Sequence, residues 1–334
     1  MAAKVSRTRV RLTDVAELAQ VSAATVSQVL NGKRPVSEAT RNRVLDAVER
    51  LGYRPNQVAR SLRTRRTNIA ALAIPDITNP FYPVLARGMQ DALGAAGIHV
   101  VVSNTDGDRV TQTTHLGDLV ARGIDGIVYS GFHYTERDLA PVLEAGVPLV
   151  RLRGRVDPRL GDLVRSDDRK GAADATAHLL RRGYQRIGLL DASLAVSEDE
   201  RAAGYRDAFA ARGIEPDPDL VAAGDYSREG GRAAMRALLP RRPSAVVCAN
   251  DLMAIGALDV AREAGLRVPD DLAVVGFDDI DAAELVSPAL TTVRNPAYEL
   301  GATSGRRLLE RIEGDTSEPT ETVVSADLIV RDST

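Results

Sequence analysis

A single cysteine and four histidines in 334 residues leave little material for several kinds of chemistry. Cys248 has no intrachain partner for a disulfide, which makes a reducing cytoplasm the simplest setting. His99, His115, His133 and His178 are scattered without metal-ligand spacing, and neither a P-loop nor a GxSxG elbow occurs. No catalytic residue, metal or cofactor is therefore expected. The carboxylate pairs Asp167-Asp168 and Asp278-Asp279 are weak evidence for acid/base catalysis on their own. No window offers 18 uninterrupted apolar residues, which removes a helical membrane span. The opening MAAKVSRTRVRLTD is positively charged without an apolar segment behind it, so a secretory signal is not expected either.

What is present is unevenly distributed. The net charge is only -3, but residues 1–66 hold 14 Lys or Arg against 5 Asp or Glu, whereas the rest is acidic, 29 against 41. Such a division fits a small basic head that seeks a polyanion, joined to a body that does not. The head is patterned as helices rather than as a disordered charge run. Thr13 is expected to cap a helix with Val15, Ala16, Leu18 and Ala19 inward, and Ser22 a second that buries Val26, Val29 and Leu30 and stops at Asn31-Gly32. Ser37 opens a third, with Val44, Leu45, Val48 and Leu51 inward, stopped by Gly52. The stretch 54–63, with Pro55 in a first turn and Val58, Ala59 and Leu62 on one side, is too short to be helical alone.

From Ile69 onward, short apolar runs alternate with helical patterns. Strands are expected at 69–74, 99–103, 127–129, 149–152, 187–190, 245–248 and 272–276, and helices at 81–96, 171–181, 201–211 and 253–264. Near-continuous apolar runs suit parallel strands covered on both faces, so this part reads as doubly wound α/β, long enough for two lobes.

The spacing of residues 13–30 is that of a helix-turn-helix, whose second helix can enter a major groove while the first crosses the backbone. Ala23 and Ala24 are small enough to let that helix sit deep, and the Gln28 amide can make paired bonds to adenine. Ser22, Thr25, Asn31, Lys33 and Arg34 are placed for phosphates, which fix position without reading sequence.

The run LTDVAELAQVSAATVSQVLNGKRPVSEATRNRVLDAVERLGYRPNQVARSLRTRRT, residues 12–67, resembles the head and hinge of the lactose-repressor (LacI/GalR) family. Further motifs follow in that family's order: IPDITNPFY, RSDDRKGAADATAHLLRRGYQRIGLL, CANDLMAIGAL, VPDDLAVVGFDD and SPALTTVRNP. The resemblance implies an all-α helix-turn-helix head (1–54) and a hinge helix with its linker (55–66). These lead into an α/β periplasmic-binding-protein-like core of two Rossmann-like lobes (67–334), the first about 67–164 plus 294–320 and the second about 165–293 plus 321–334. A helix at 296–313 and a strand at 322–330 are expected to return the chain across the boundary.

It also implies base contacts by Ala23, Ala24 and Gln28, and a minor-groove hinge of Asn56, Ala59 and Leu62, with Leu62 as the apolar wedge. The effector set carried over is Phe81, Tyr82, Arg201, Tyr226, Val247, Asn250 and Asp278. Arg153 joins that set where many sugar-responsive members have an aspartate, a departure that weakens a neutral-monosaccharide assignment: facing the cleft, it would suit a ligand carboxylate or phosphate, or neutralise Asp278. Arg151, Arg153 and Arg155 alternate, and all three could point one way. The expected protein is a homodimeric repressor of pseudo-palindromic operator DNA, cytoplasmic and nucleoid-associated, released by a sugar or sugar derivative. A corepressed regulator sensing a nucleoside, purine or anionic metabolite stays open, as does a cytoplasmic α/β enzyme. Because no leucine-rich tail follows the last strand, a dimer is favoured over a tetramer.

Overall fold

The computed structural model describes residues 10–31, 36–54, 66–131, 134–154, 157–192 and 199–334, without the side chains of Asn31, Arg109 and Pro158. Lys33, Arg34, Asn56, Ala59, Leu62 and Arg155 therefore lie outside what is described. The chain divides into two compact units, Met1–Thr67 and Asn68–Thr334. Among the described residues no helix is long and apolar enough to cross a membrane.

The head holds three helices, α1 (Leu12–Leu18), α2 (Ala23–Asn31) and α3 (Glu38–Leu51). Ser22 and Ser37 cap as expected: Ser22 Oγ accepts from the Thr25 amide at 3.1 Å and Ser37 Oγ from the Thr40 amide at 3.3 Å. Thr13 does not cap. The helix starts two residues earlier because Asp14 Oδ2 accepts the Arg11 amide at 2.8 Å, which leaves Thr13 in the first turn. Val15, Ala16, Ala19, Val26, Val44 and Ala47 form a small core. Leu18 and Leu45 are exposed instead, since Val44, Ala47, Val48 and Leu51 already follow the 3.6-residue period and Leu45 lies about 100° round the helix from Val44. Gly52, at φ 60°, ends α3 in the left-handed conformation a side chain disfavours.

The second unit contains two six-stranded sheets. The first is built from β1 (Ile69–Ile74), β2 (His99–Asn104), β3 (Gly126–Tyr129), β4 (Leu149–Arg151), β5 (Asp162–Ser166) and β11 (Glu321–Val324), in the order β11-β5-β4-β3-β1-β2, all parallel. The second contains β6 (Ile187–Asp191), β7 (Val221–Ala223), β8 (Ala245–Cys248), β9 (Ala273–Asp278), β10 (Thr291–Arg294) and β12 (Asp327–Ile329), in the order β12-β10-β9-β8-β6-β7, with only β12 antiparallel. Each sheet is covered on both faces by its own apolar clusters. The first is flanked by α4 (Phe81–Gly94), α5 (Arg109–Ala121), α6 (Glu136–Glu144) and α12 (Ala297–Glu313). The second has α7 (Asp168–Arg181), α8 (Glu200–Ala210), α9 (Arg228–Leu238) and α10 (Asp251–Glu263), with the short α11 (Ala282–Leu285) before β10.

The strand expected at 322–330 is two strands, one in each sheet, and β5 runs two residues past the expected boundary. The chain therefore crosses between lobes three times, after β5, after β10 and between β11 and β12. Residues 321–324 belong to the first lobe rather than the second, because their amides and carbonyls pair with β5. Close helix packing relies on absent side chains: a Cβ on Gly301 would overlap the Leu85 carbonyl oxygen where α12 crosses α4.

Candidate functional site

In each lobe the strand order reverses beside the first strand, between β1 and β3 and between β6 and β8, and open α/β sheets take ligands beyond the carboxyl ends of strands at such points. A cavity of about 440 Å³ opens next to these points, beyond the carboxyl ends of β1 and β2 in the first lobe and of β6 and β7 in the second. Pro75, Asp76, Asn79, Tyr82, Asp106 and Gly107 line it from the first lobe, and Ala192, Gly224, Asp225, Tyr226 and Ser227 from the second.

The turn after β1 is fixed by its own polar groups. Asp76 Oδ1 accepts from the Thr78 amide at 2.8 Å and hydroxyl at 2.7 Å, and Asn79 Oδ1 from the Phe81 amide at 3.0 Å. This starts α4 with Tyr82 directed to the cavity, while Phe81 packs edge-on against it at 5.3 Å and joins the apolar core. Burial raises the Tyr82 phenol above its ordinary pKa, so the neutral hydroxyl is the form present, bonded to Ser130.

Opposite stands a charged cluster centred on Arg201, one residue into α8. Its Nε donates to Asp168 Oδ2 at 3.1 Å, its Nη2 to Asp278 Oδ1 at 3.3 Å and its Nη1 to the Ala249 carbonyl, and its Cζ lies 3.7 Å from the Phe277 ring centroid. Arg201 is thus fully engaged by the protein and only 4% exposed. Asp278, at φ 113°, also accepts from Asn295 Nδ2 at 3.0 Å. A non-glycine residue held at such an angle is strained, and strain of this kind gathers at functional sites.

Burial opposes ionisation of both carboxyls, with different outcomes. Asp168 faces the guanidinium groups of Arg201 and Arg153, which outweigh burial and hold it below the usual carboxylate range. For Asp278 burial prevails over Arg201 and Asn295, and its carboxyl is raised.

Arg153, just after β4, pairs with Asp168 at 3.9 Å, and its charge also favours the ionised Asp278, though less than burial opposes it. Arg151 does not share its direction: it is buried and donates to the Gly161 carbonyl at 3.0 Å. Tyr226, at φ 66°, donates to Asp199 Oδ2 at 3.3 Å, and Asn250 braces its loop by donating from Nδ2 to the Tyr226 carbonyl at 2.9 Å. Asn250 Oδ1 meanwhile caps α10 through the Met253 amide at 2.9 Å. Val247 was expected on the cleft side but packs among Ala202, Val275 and Phe277 beneath the second sheet; on a strand its side chain takes the face opposite to Val246 and Cys248. The structure thus brings together Tyr82, Arg153, Arg201, Tyr226, Asn250 and Asp278, and leaves Phe81 and Val247 in the core.

Sequence reasoning missed Asp168, Asp199 and Asn295 as members of this cluster. Asp168 was visible only as half of a paired acid, and nothing in the sequence ties it to Arg201, 33 positions away. In the head, Ser22, Ala23 and Ala24 are exposed at the start of α2 and Gln28 is partly exposed one turn on, while Ser22 Oγ lies 2.9 Å from Thr25 Oγ1. Among the described residues no group of three or more histidine, cysteine or acidic side chains could hold a metal ion.

Residues 11–56 match the model of bacterial regulatory proteins of the lacI family, and residues 176–334 a periplasmic binding protein-like domain. The chain is 39% identical over 342 aligned positions to the HTH-type transcriptional regulator CelR of Thermobifida fusca, covering 98% of this chain and 99% of the relative. A solved CelR–cellobiose complex superposes with a TM-score of 0.75 at 36% identity, covering 98% of this chain and 100% of that one. The lac repressor dimer bound to operator and the anti-inducer ONPF superposes with a TM-score of 0.87 at 30% identity, covering 98% and 99%. The chain therefore belongs to the lacI family of bacterial regulatory proteins, DNA-binding transcriptional repressors under small-molecule control rather than enzymes.

Proposed function

We propose that this regulator works as a homodimer in the bacterial cytoplasm, associated with the nucleoid, and that an uncharged sugar or sugar derivative releases it from a pseudo-palindromic operator. The observation that carries the ligand class is the pair of tyrosines, Tyr82 and Tyr226, facing one cavity from opposite lobes beside a carboxylate and guanidinium cluster. Ring faces suit aromatic side chains, and hydroxyl edges suit charged acceptors and donors. The CelR–cellobiose complex supports the same class.

In this reading Tyr82, Tyr226 and Asp278 meet the ligand, Arg153 yields its place beside Tyr226 to it, and Arg201 and Asn250 hold Asp278 and the Tyr226 loop in place. Ala23, Ala24 and Gln28 read bases; Ser22, Thr25, Asn31, Lys33 and Arg34 hold phosphates; Asn56, Ala59 and Leu62 supply the hinge in the minor groove. Two linked heads gain by effective concentration what one head lacks. The ligand acts by preferring one lobe arrangement, and its effect on DNA is bounded by that preference.

Selecting the operator from a random duplex pool and titrating the complex with cellobiose, cellotriose and ribose tests the proposal. Release by one of these sugars, with loss of that release in Tyr226→Ala at unchanged operator affinity, is expected. Tightened DNA binding on adding the sugar would reverse the sign, and a response to none of the three would reject the sugar class.

A further inference from the structure

Three backbone crossings join the lobes, and Arg153 adds a fourth connection that is not covalent. It leaves the end of β4 in the first lobe, and its Nη2 reaches 3.9 Å from Asp168 Oδ2, at the start of α7 beyond the first crossing. Its Cζ also lies 6.0 Å from the ring centroid of Tyr226, which follows β7 in the second lobe. The Arg153 side chain retains 22% exposure and that of Asp168 13%. At such burial an ion pair is screened far less than on an open surface, and a guanidinium over an aromatic ring adds attraction of its own. The open cavity touches Tyr226, whereas Arg153 is not among its described lining residues.

We propose that Arg153 is a specificity-determining tether: without ligand, its guanidinium holds the two lobes together by occupying the place beside Asp168 and Tyr226, and a ligand takes that place only by displacing it. The ligand that can do so is an uncharged ring bearing several hydroxyls. Its face replaces the guanidinium on Tyr226, and its hydroxyls donate to the carboxylate of Asp168. A carboxylate or phosphate entering there would meet Asp168, with Asp199 bonded to the Tyr226 hydroxyl and Asp225 in the cavity wall. An intramolecular competitor lowers apparent ligand affinity by the fraction of molecules it keeps closed, so its removal raises that affinity. The ligand class rests on the cavity being the effector site; the tether does not.

The test uses the full chain. Nitroxide labels on Arg122→Cys in the first lobe and Arg212→Cys in the second, both exposed positions, report the distance between lobes by pulsed electron resonance; the native Cys248 is buried. Dilution with unlabelled chain restricts the reading to pairs within one protomer. In the ligand-free protein Arg153→Gln is expected to move the distribution to longer distances, and Arg153→Lys, which keeps the charge, to move it less. Identical distributions for the unsubstituted protein and Arg153→Gln overturn the tether. Cellobiose and its acid analogue cellobionate are then titrated calorimetrically. Arg153→Gln should bind cellobiose at least as tightly as the unsubstituted protein, which should prefer cellobiose to cellobionate. A loss of about tenfold in the cellobiose affinity of Arg153→Gln would make the arginine a ligand contact and overturn the displacement. Were no form of the protein to bind cellobiose, the proposed sugar would fail, while the distance measurement would still decide the tether.

Discussion

Replacing Arg201 by alanine takes one cation from between two buried carboxylates. A cost in stability should accompany the loss of ligand response, because Asp278 would lose its paired guanidinium while Asp168 kept only the longer pair with Arg153 at 3.9 Å. Breaking a buried pair by removing one partner typically costs about 3–5 kcal/mol. The Asp278 carboxyl, which burial already raises, would lose the cation that opposes this, so the deficit should be full at neutral pH and shrink as protonation sets in on acidification. Denaturant unfolding of Arg201→Ala at pH 7 and pH 5 checks this: an equal deficit at both would show that charge burial is not the cause. The residue scale is also where the sequence was least legible. Val247 and Asn250 sit one strand end apart, yet one is core and the other a loop brace, a distinction set by which face a strand residue takes and by partners remote in the chain.

Among the elements, α12 and β5 meet at a single buried carboxylate. Asp162, 1% exposed, accepts from Arg311 Nε at 2.7 Å and Nη2 at 3.2 Å, and from the Thr320 amide at 2.8 Å, with Arg307 Nε at 2.9 Å. Burial opposes its ionisation, but the hydrogen bonds from Arg311 and Thr320 and the charge of Arg307 prevail and the carboxyl is lowered. A folded-state value below the unfolded one means stabilisation that is complete above about pH 4 and lost as pH falls through the folded value. Asp162→Asn should therefore destabilise at pH 7 and show a shallower acid limb in thermal melts from pH 7 to pH 3, whereas parallel melting curves would exclude the clamp.

Most helices and the long apolar strands could be read from periodicity, because burial on both faces writes itself into composition. By contrast β5, β7 and β10 were invisible: DLVRS, VAA and TTVR are short or broken by charge, and neighbours complete them. The split of 321–329 into two strands was likewise unreadable, since only pairing with β5 and β10 assigns each half to its sheet.

Across the whole molecule, the division of charge between head and body sets the response to salt. A basic unit that neutralises several phosphates per subunit releases their counterions, so operator affinity should fall by about 10³-fold or more between roughly 50 and 200 mM salt. Ligand binding within the acidic second unit should change little over the same range. Fluorescence anisotropy of labelled operator, with calorimetry of the sugar in parallel, measures both; operator affinity independent of salt would remove the basic unit from the contact.

The threading of the last two strands has a consequence for biogenesis. β11 and β12 each form an outermost strand, one on either sheet, and they are separated by only two residues. A ribosome delivers the amino end first, so both sheets wait with a bare margin until the same brief stretch emerges. The maturation of the two halves is thereby synchronised by one late event, and a nascent chain stalled before residue 321 would present two sticky flanks at once.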